Sequence, residues 1–216
     1  MTPPDEVWVG PVRDTSEPSD VLAQEVQYAG RVWSVRSDTV RLADGTVVVR
    51  DVVDHPGAVG VVALDDQGRV LLLRQYRQPV GGYLFEMPAG LRDVPGEHPL
   101  VTAQRELAEE AGYEAEEWRI LLDFFNSPGG STEAFRCYLA RGVREIDGGR
   151  RPTGEAEEAH LPRVWLPLDE AATLVLDGSL HNPTTVLGVL AALAARERGW
   201  RTLRPAGEPM WELPAP

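Results

Sequence analysis

Four glutamates and one arginine carry the chemistry that this chain can be read for. Glu106, Glu109 and Glu110 follow Arg105 at helical spacing, and Glu97 lies upstream. At about 100° per residue, with Glu106 at the origin, Glu110 falls at about +40° and Glu109 at about −60°. Leu100, Val101, Leu107, Ala108 and Ala111 fall at roughly 100° to 220° on the same wheel, so one face is apolar and the other is carboxylate. From Glu97 to Glu117 seven acids face a single arginine. Like charges at i,i+3 and i,i+4 destabilise a helix by about a few tenths of a kcal/mol each, and acids near the C-terminal end oppose the macrodipole. A solvated acidic face is the ordinary reading of such a helix. Concentrated negative charge beside a Gly-rich loop points instead to a hard divalent cation, because Mg²⁺ binds one or two carboxylates together with substrate phosphates.

The whole chain frames that reading. It has 216 residues, 34 acidic and 21 basic side chains and a net charge of −13, and every basic residue is arginine. Nucleic acid and anionic membranes recruit excess positive charge, so neither is expected as a partner. Without lysine there is no Schiff-base chemistry and no P-loop lysine. A single cysteine, Cys137, allows no internal disulfide and fits a reducing cytoplasm; its apolar surroundings suggest a small core residue. The opening MTPPDEVWVG has neither a basic nor an apolar leader region. The longest apolar stretch, Val186 to Ala195, is far short of the roughly 20 residues of a membrane span.

The elements that must position the glutamates are legible in outline. Residues 1–20, with four prolines, are expected to form a flexible arm. Residues 21–55 read as an antiparallel β subdomain, with strands at Arg31–Val35 and Thr46–Arg50 around the Asp44-Gly45 turn. Residues 56–203 form the main domain and 204–216 an irregular Pro-rich tail. Within the main domain, Ala58–Leu64 and Val70–Leu73 are predicted to pair as a buried hairpin around Gln67-Gly68. Pro79–Gly96 reads as a Gly/Pro-rich connection leading into a helix from Pro99 to Ala111, ended by Gly112. Strands follow at Arg119–Phe124, Phe135–Ala140 and Val164–Leu168, with an acidic loop over 147–160. Asp169 is expected to cap a helix to Asp177, and Asn182-Pro183 to open another that closes near Gly199.

From Gly90, the stretch GLRDVPGEHPLVTAQRELAEEAGY resembles the Nudix box, G-x5-E-x7-R-E-U-x-E-E-x-G-U with U aliphatic. Glu97, Arg105, Glu106, Leu107, Glu109, Glu110 and Gly112 match position by position. Two departures stand out: six residues separate Gly90 from Glu97 instead of five, and Tyr113 replaces the last aliphatic residue. Arg74-Gln75-Tyr76-Arg77, then Phe85-Glu86-Met87-Pro88-Ala89-Gly90, and Ser127-Pro128-Gly129-Gly130 are similar to segments of the ADP-ribose pyrophosphatase subfamily. The likeness runs from about Tyr28 to Arg198. It implies an α/β fold, a Nudix α/β/α sandwich with a mixed sheet, plus a small N-terminal antiparallel β subdomain that commonly builds a swapped homodimer.

The resemblance also implies roles. Glu106 and Glu110 would ligate Mg²⁺ or Mn²⁺, with Glu109 close by and the backbone carbonyl of Ala89 completing the site. Arg105 would hold the acidic cluster together, and Glu97 would orient Arg105 or touch metal. The implied reaction is attack of water on one phosphorus of ADP-ribose, giving AMP and ribose 5-phosphate. Its base is expected on the acidic loop: Glu158 first, then Glu157, with Glu155 as a third candidate there. Arg50 and Arg77 align with positions that meet phosphates or stack on adenine. Trp33 aligns with an aromatic that packs on adenine from the partner subunit, or serves the subdomain core. Glu86 is a candidate for base or sugar contact, or for pairing with an arginine, and Glu133 for the terminal ribose or a phosphate. His55, His98, His160 and His181 lack metal-ligand spacing. Another nucleoside-diphosphate sugar is an alternative substrate, and a non-catalytic nucleotide-sensing domain is the rival class.

Overall fold

The structure, a computed structural model, describes residues 8–150 and 161–211. Its first sheet is antiparallel and N-terminal: β1 (Asp20–Ala29), β2 (Ser34–Arg41) and β3 (Val47–Asp54), in that order. Every residue of β1 is exposed. The expected strand at Arg31–Val35 is displaced: residues 31–33 belong to the turn closed by the Gly30 N–H to Trp33 O bond (3.0 Å), and pairing starts at Ser34. Because β1 buries nothing, no apolar alternation marked it in the sequence.

Next come β4 (Ala58–Ala63) and β5 (Arg69–Arg77). The expected buried hairpin is corrected here. The two strands meet only at the Leu64 and Val70 bridge and around the Asp65 turn, then part into different sheets. β4 lies between β7 (Ala89–Leu91), to which it is antiparallel, and β9 (Ala134–Glu145), to which it is parallel. β5 pairs with β6 (Gly82–Glu86) on one side and β10 (Arg163–Pro167) on the other. Both β6 and β7 fall inside the segment read as a Gly/Pro-rich connection. Three- and five-residue strands are too short to show a period.

All six residues of β4 are buried, as expected for a strand with helices on both faces. Val59, Val61 and Ala63 join the core under α1 (Pro99–Glu106), with Leu71, Leu73, Leu107, Tyr138 and Ala140. Val62, Leu72, Cys137 and Leu139 join the opposite core, under α2 (Leu168–Leu176) and α3 (Pro183–Glu197). That is the α/β/α layering expected. The five-stranded sheet runs β11-β8-β9-β4-β7, where β8 is Tyr113–Phe125 and β11 is Arg204–Pro205, so it is mixed. The tail is therefore not irregular from Arg204, because β11 pairs with Arg119 and Ile120. Asn182 caps α3 by accepting from the Thr185 N–H (3.0 Å). Pro167, not Asp169, stands at the N-cap of α2, and Asp169 pairs with Arg196. No helix of the described residues is long and apolar enough to cross a membrane.

One buried charge ties the tail to the sheet. Arg136 on β9 has a fully buried side chain; its Nε and Nη2 meet Asp123 at 2.7 and 2.9 Å, and it donates to the carbonyls of Glu208 and Pro209. Burial alone would raise the Asp123 pKa, but Arg136 and Arg204 outweigh it and hold the carboxyl below its ordinary 3.8. The stabilisation is then complete above the unfolded-state value and is lost as pH falls through the lower folded-state value. Asp123→Asn, which strands a buried guanidinium, should cost about 3–5 kcal/mol at pH 7. In urea unfolding that gap should narrow as the wild type is acidified below pH ~3.8; a gap independent of pH would refute the assignment.

Candidate active site

The motif helix forms where expected but changes its winding before the end. Pro99–Glu106 is α-helical, opened by His98, whose side chain accepts from the Leu100 N–H (3.2 Å). Leu107–Ala111 is a π-helical turn, and Gly112 ends it with φ 73°, the left-handed conformation that glycine adopts without a Cβ penalty. Single π turns inside α-helices recur at functional sites. Here the turn carries Glu109 and Glu110.

The carboxylates are drawn together by one cation. Arg105 Nη1 meets Glu106 Oε1 at 2.7 Å and Glu109 Oε2 at 3.3 Å, while Nη2 meets Glu97 Oε2 at 3.3 Å. Burial would weaken its charge, but Glu106 and Glu97 outweigh it and raise its pKa above the ordinary arginine value. Glu97 is held below the usual carboxylate range, first by the Thr102 hydroxyl at 2.7 Å and then by Arg105. Glu106 and Glu110 are buried, and Glu109 is part-exposed. The Ala89 N–H donates to Glu110 Oε2 (2.8 Å), tying the helix to β7. Gly90 lies directly against Glu106, so a Cβ there would overlap the Glu106 carboxyl group.

Whether this set fits a divalent ion can be judged from its donors. Two buried carboxylates, both hard oxygen donors, converge on the Ala89-Gly90 edge, which suits a cation that takes few protein ligands and shares substrate oxygens. Among the described residues no three Asp, Glu, His or Cys side chains form a metal-holding group. Glu109 is turned to Arg105 (3.3 Å), and Ala89 meets Glu110 through its N–H.

A cavity of about 460 Å³ opens at the same edge. Ala89, Gly90 and Leu91 form one wall; the others come from Arg77 and Glu86 on the β5–β6 pair, Asn126 and Glu133, and the start of α3. Arg77 grips Glu86 through two bonds, 2.9 and 2.6 Å, so the arginine-pairing alternative for Glu86 is realised. Glu133 accepts from Asn126 Nδ2 (2.7 Å), and Asn126 Oδ1 is buried without a hydrogen-bond partner among the described residues. Arg50 and Trp33 do not line this cavity. Arg50 is exposed on β3 and bonds the Val49 carbonyl, and Trp33 packs on Tyr28 with ring centroids 6.1 Å apart. Glu155, Glu157 and Glu158 lie outside the described residues. Cys137 is buried with its thiol pushed up to about 12 by desolvation, as suits a core residue.

Both departures from the box have local explanations. The extra residue is absorbed in the turn where the Glu97 N–H donates to Val94 O (3.1 Å), upstream of the helix. Tyr113 packs edge-on against Trp165 (5.4 Å, 90°) and accepts from its indole N–H at 3.2 Å. Asn126 and Arg163 were not anticipated from the sequence. Arg163, on β10, donates to the Ala111 carbonyl and lies 5.5 Å from the Tyr113 ring. It places a cation at the C-terminal end of a helix overloaded with acid, where the macrodipole favours positive charge. No helical pattern could reveal it, since it arrives from a strand 52 residues further on. Arg163→Gln should lower stability in urea unfolding by about 1–2 kcal/mol, with Lys restoring part of the loss; an unchanged midpoint would show that the cap contributes nothing.

A sequence model of the NUDIX domain matches residues 54–185. The chain is 44% identical over 175 residues to the ADP-ribose pyrophosphatase of Mycobacterium tuberculosis, covering 81% of this chain and 83% of that protein. It is 36% identical over 168 residues to the methanol dehydrogenase activator of Bacillus methanolicus, covering 78% and 89%. The crystal structure of an ADP compounds hydrolase superposes with a TM-score of 0.71 at 22% identity, over 87% of this chain and 99% of that one, a likeness of fold.

Proposed function

The chain belongs to the Nudix hydrolase family, and we propose that within it the protein hydrolyses the diphosphate bond of ADP-ribose. The observation that carries the reading is the meeting of the buried Glu106 and Glu110 with the edge of a cavity that also holds Arg77, Glu86 and Glu133. The 44% identity to an ADP-ribose pyrophosphatase supports the substrate. Water adds to one phosphorus, the bridging P–O bond breaks, and the products are AMP and ribose 5-phosphate.

A divalent ion, Mg²⁺ or Mn²⁺, held by Glu106 and Glu110, would neutralise the diphosphate oxygens and lower the pKa of bound water. The chain's own residues do the rest. Arg105 keeps Glu106 and Glu109 in place, and the Ala89 N–H orients Glu110. Arg77, fixed by Glu86, offers the cationic contact in the cavity that a chain without lysine can supply only by arginine. Asn126 Oδ1 is available to a sugar hydroxyl. Glu158 or Glu157 takes the proton from water, a role carried by resemblance alone.

The N-terminal sheet supports a homodimer as part of the same proposal. Val21, Val26, Tyr28, Val47 and Val49 are all close to half exposed or more. Trp33 and Arg50 sit on that subdomain and away from the cavity of their own chain. A second copy that covers the apolar residues and brings Trp33 and Arg50 to the cavity accounts for both facts. Residues 21–55 would then be the dimerisation unit and 56–203 the hydrolase domain, acting in the cytoplasm.

Two measurements test this. Mg²⁺-dependent release of AMP from ADP-ribose should fall at least about 100-fold in Glu110→Gln, since even outer-shell partners of a metal are worth 10–100-fold. Equal turnover by the variant would remove Glu110 from the site, and faster turnover of UDP- or GDP-sugars would move the substrate assignment. Light scattering should give a dimer that Tyr28→Asp dissociates; a monomeric wild type would end the dimer proposal.

A further inference from the structure

A second cavity, of about 450 Å³, adjoins the first at His55 but is walled by the β3–β4 connection, the end of β7, the start of α1 and the tail. Its polar lining is dominated by donors. Among the described residues, Arg92 Nε is buried without a hydrogen-bond partner, and Arg92 Nη1 reaches only the thioether sulfur of Met210 at 3.4 Å, a weak acceptor. His55 Nδ1 accepts from the Gly57 N–H (3.0 Å), and His98 Nδ1 from the Leu100 N–H (3.2 Å). In each neutral ring the proton then sits on Nε2, which becomes a donor.

The other charges of the lining are already matched. Arg136 is consumed by Asp123 and by two tail carbonyls. The Glu208 carboxylate is held by Arg204 at 2.8 Å. No carboxylate pairs with Arg92 among the described residues. With the Glu208 carboxylate already taken, what Arg92 lacks among the described residues is a negatively charged acceptor. A buried guanidinium N–H left unpaired is costly, and charged oxygens satisfy it best.

We propose that this cavity binds a phosphate monoester, with Arg92 Nε and the Nε2 groups of His55 and His98 on the phosphate oxygens. Three donors from three separate segments suit a tetrahedral oxyanion with three terminal oxygens better than a planar carboxylate with two. The volume exceeds that of phosphate alone, and Met210 and Trp211 give the organic part an apolar wall. The site needs no divalent ion and does not depend on the hydrolysis proposed above, although that reaction would release two phosphate monoesters.

The test uses the full-length protein in EDTA, which removes metal-assisted binding at the carboxylates. Ribose 5-phosphate is titrated in at constant ionic strength, with heat of binding and the imidazole NMR resonances of His55 and His98 as readouts, and ribose and sodium acetate as control ligands. Saturable shifts of both histidines are expected, unchanged in Glu110→Gln. Arg92→Gln should weaken binding by about tenfold or more, and Arg92→Lys, which keeps the charge without the Nε donor, by less. If Arg92→Gln does not fold, weaker binding by the Lys variant supports the site. Absence of saturable shifts, equal affinity in the Arg92 variants, or equal binding of ribose or acetate would overturn the proposal.

Discussion

Arg105 is the interaction on which the arrangement depends. Three glutamates, Glu97, Glu106 and Glu109, are brought within 3.3 Å of one guanidinium, on a helix whose own geometry disfavours them. Each pair is only part-buried and contributes modestly by itself; together they form a network around a planar fork whose donors have fixed directions. A lysine could balance the charge but not the geometry. Arg105 engages Glu106 through Oε1, and the same end of that carboxyl lies against Gly90, so the helix and the edge of the sheet are held in contact.

The sheet supplies the second half of the site. β4 is buried on both faces, so its position is set by two cores at once, and β7, paired to it over only three residues, inherits that precision. Ala89 and Gly90 therefore present a fixed edge to Glu110 and Glu106. At the far end of the helix, the π turn, Gly112 and the Arg163 contact hold Glu110 inward while Glu109 stays part-exposed. Charge that would destabilise an isolated helix is tolerated because arginines from the helix itself and from β10 meet it at two points. The same economy appears at Arg136, where one buried guanidinium joins β8, β9 and the tail.

The carboxylate face, its arginine and the glycine stop were legible because helical spacing is a local property, and the box residues match at fixed offsets. Long strands such as β8 and β9 were found but shortened: the outer half of β8 does alternate, from Tyr113 to Glu116, but its dense acidic charge obscured the pattern, and the outer half of β9 is half-buried or exposed. The separation of β4 from β5 was not legible: two apolar runs around a Gly turn look the same whether they pair with each other or with distant partners. Arg163, Asn126 and Arg92 were missed for a related reason. Each matters through a partner or a cavity wall far away in sequence, and nothing in its neighbours marks it.

In the proposed site, Glu106 and Glu110 hold a divalent cation only because position 90 carries no side chain. Calorimetric titration of Mg²⁺ into metal-free wild type and Gly90→Ala tests it most directly, with circular dichroism to confirm that both are folded. The wild type should bind saturably and the variant, with its Glu106 carboxyl displaced, should lose that binding. A folded Gly90→Ala protein that binds Mg²⁺ as tightly as the wild type would contradict it.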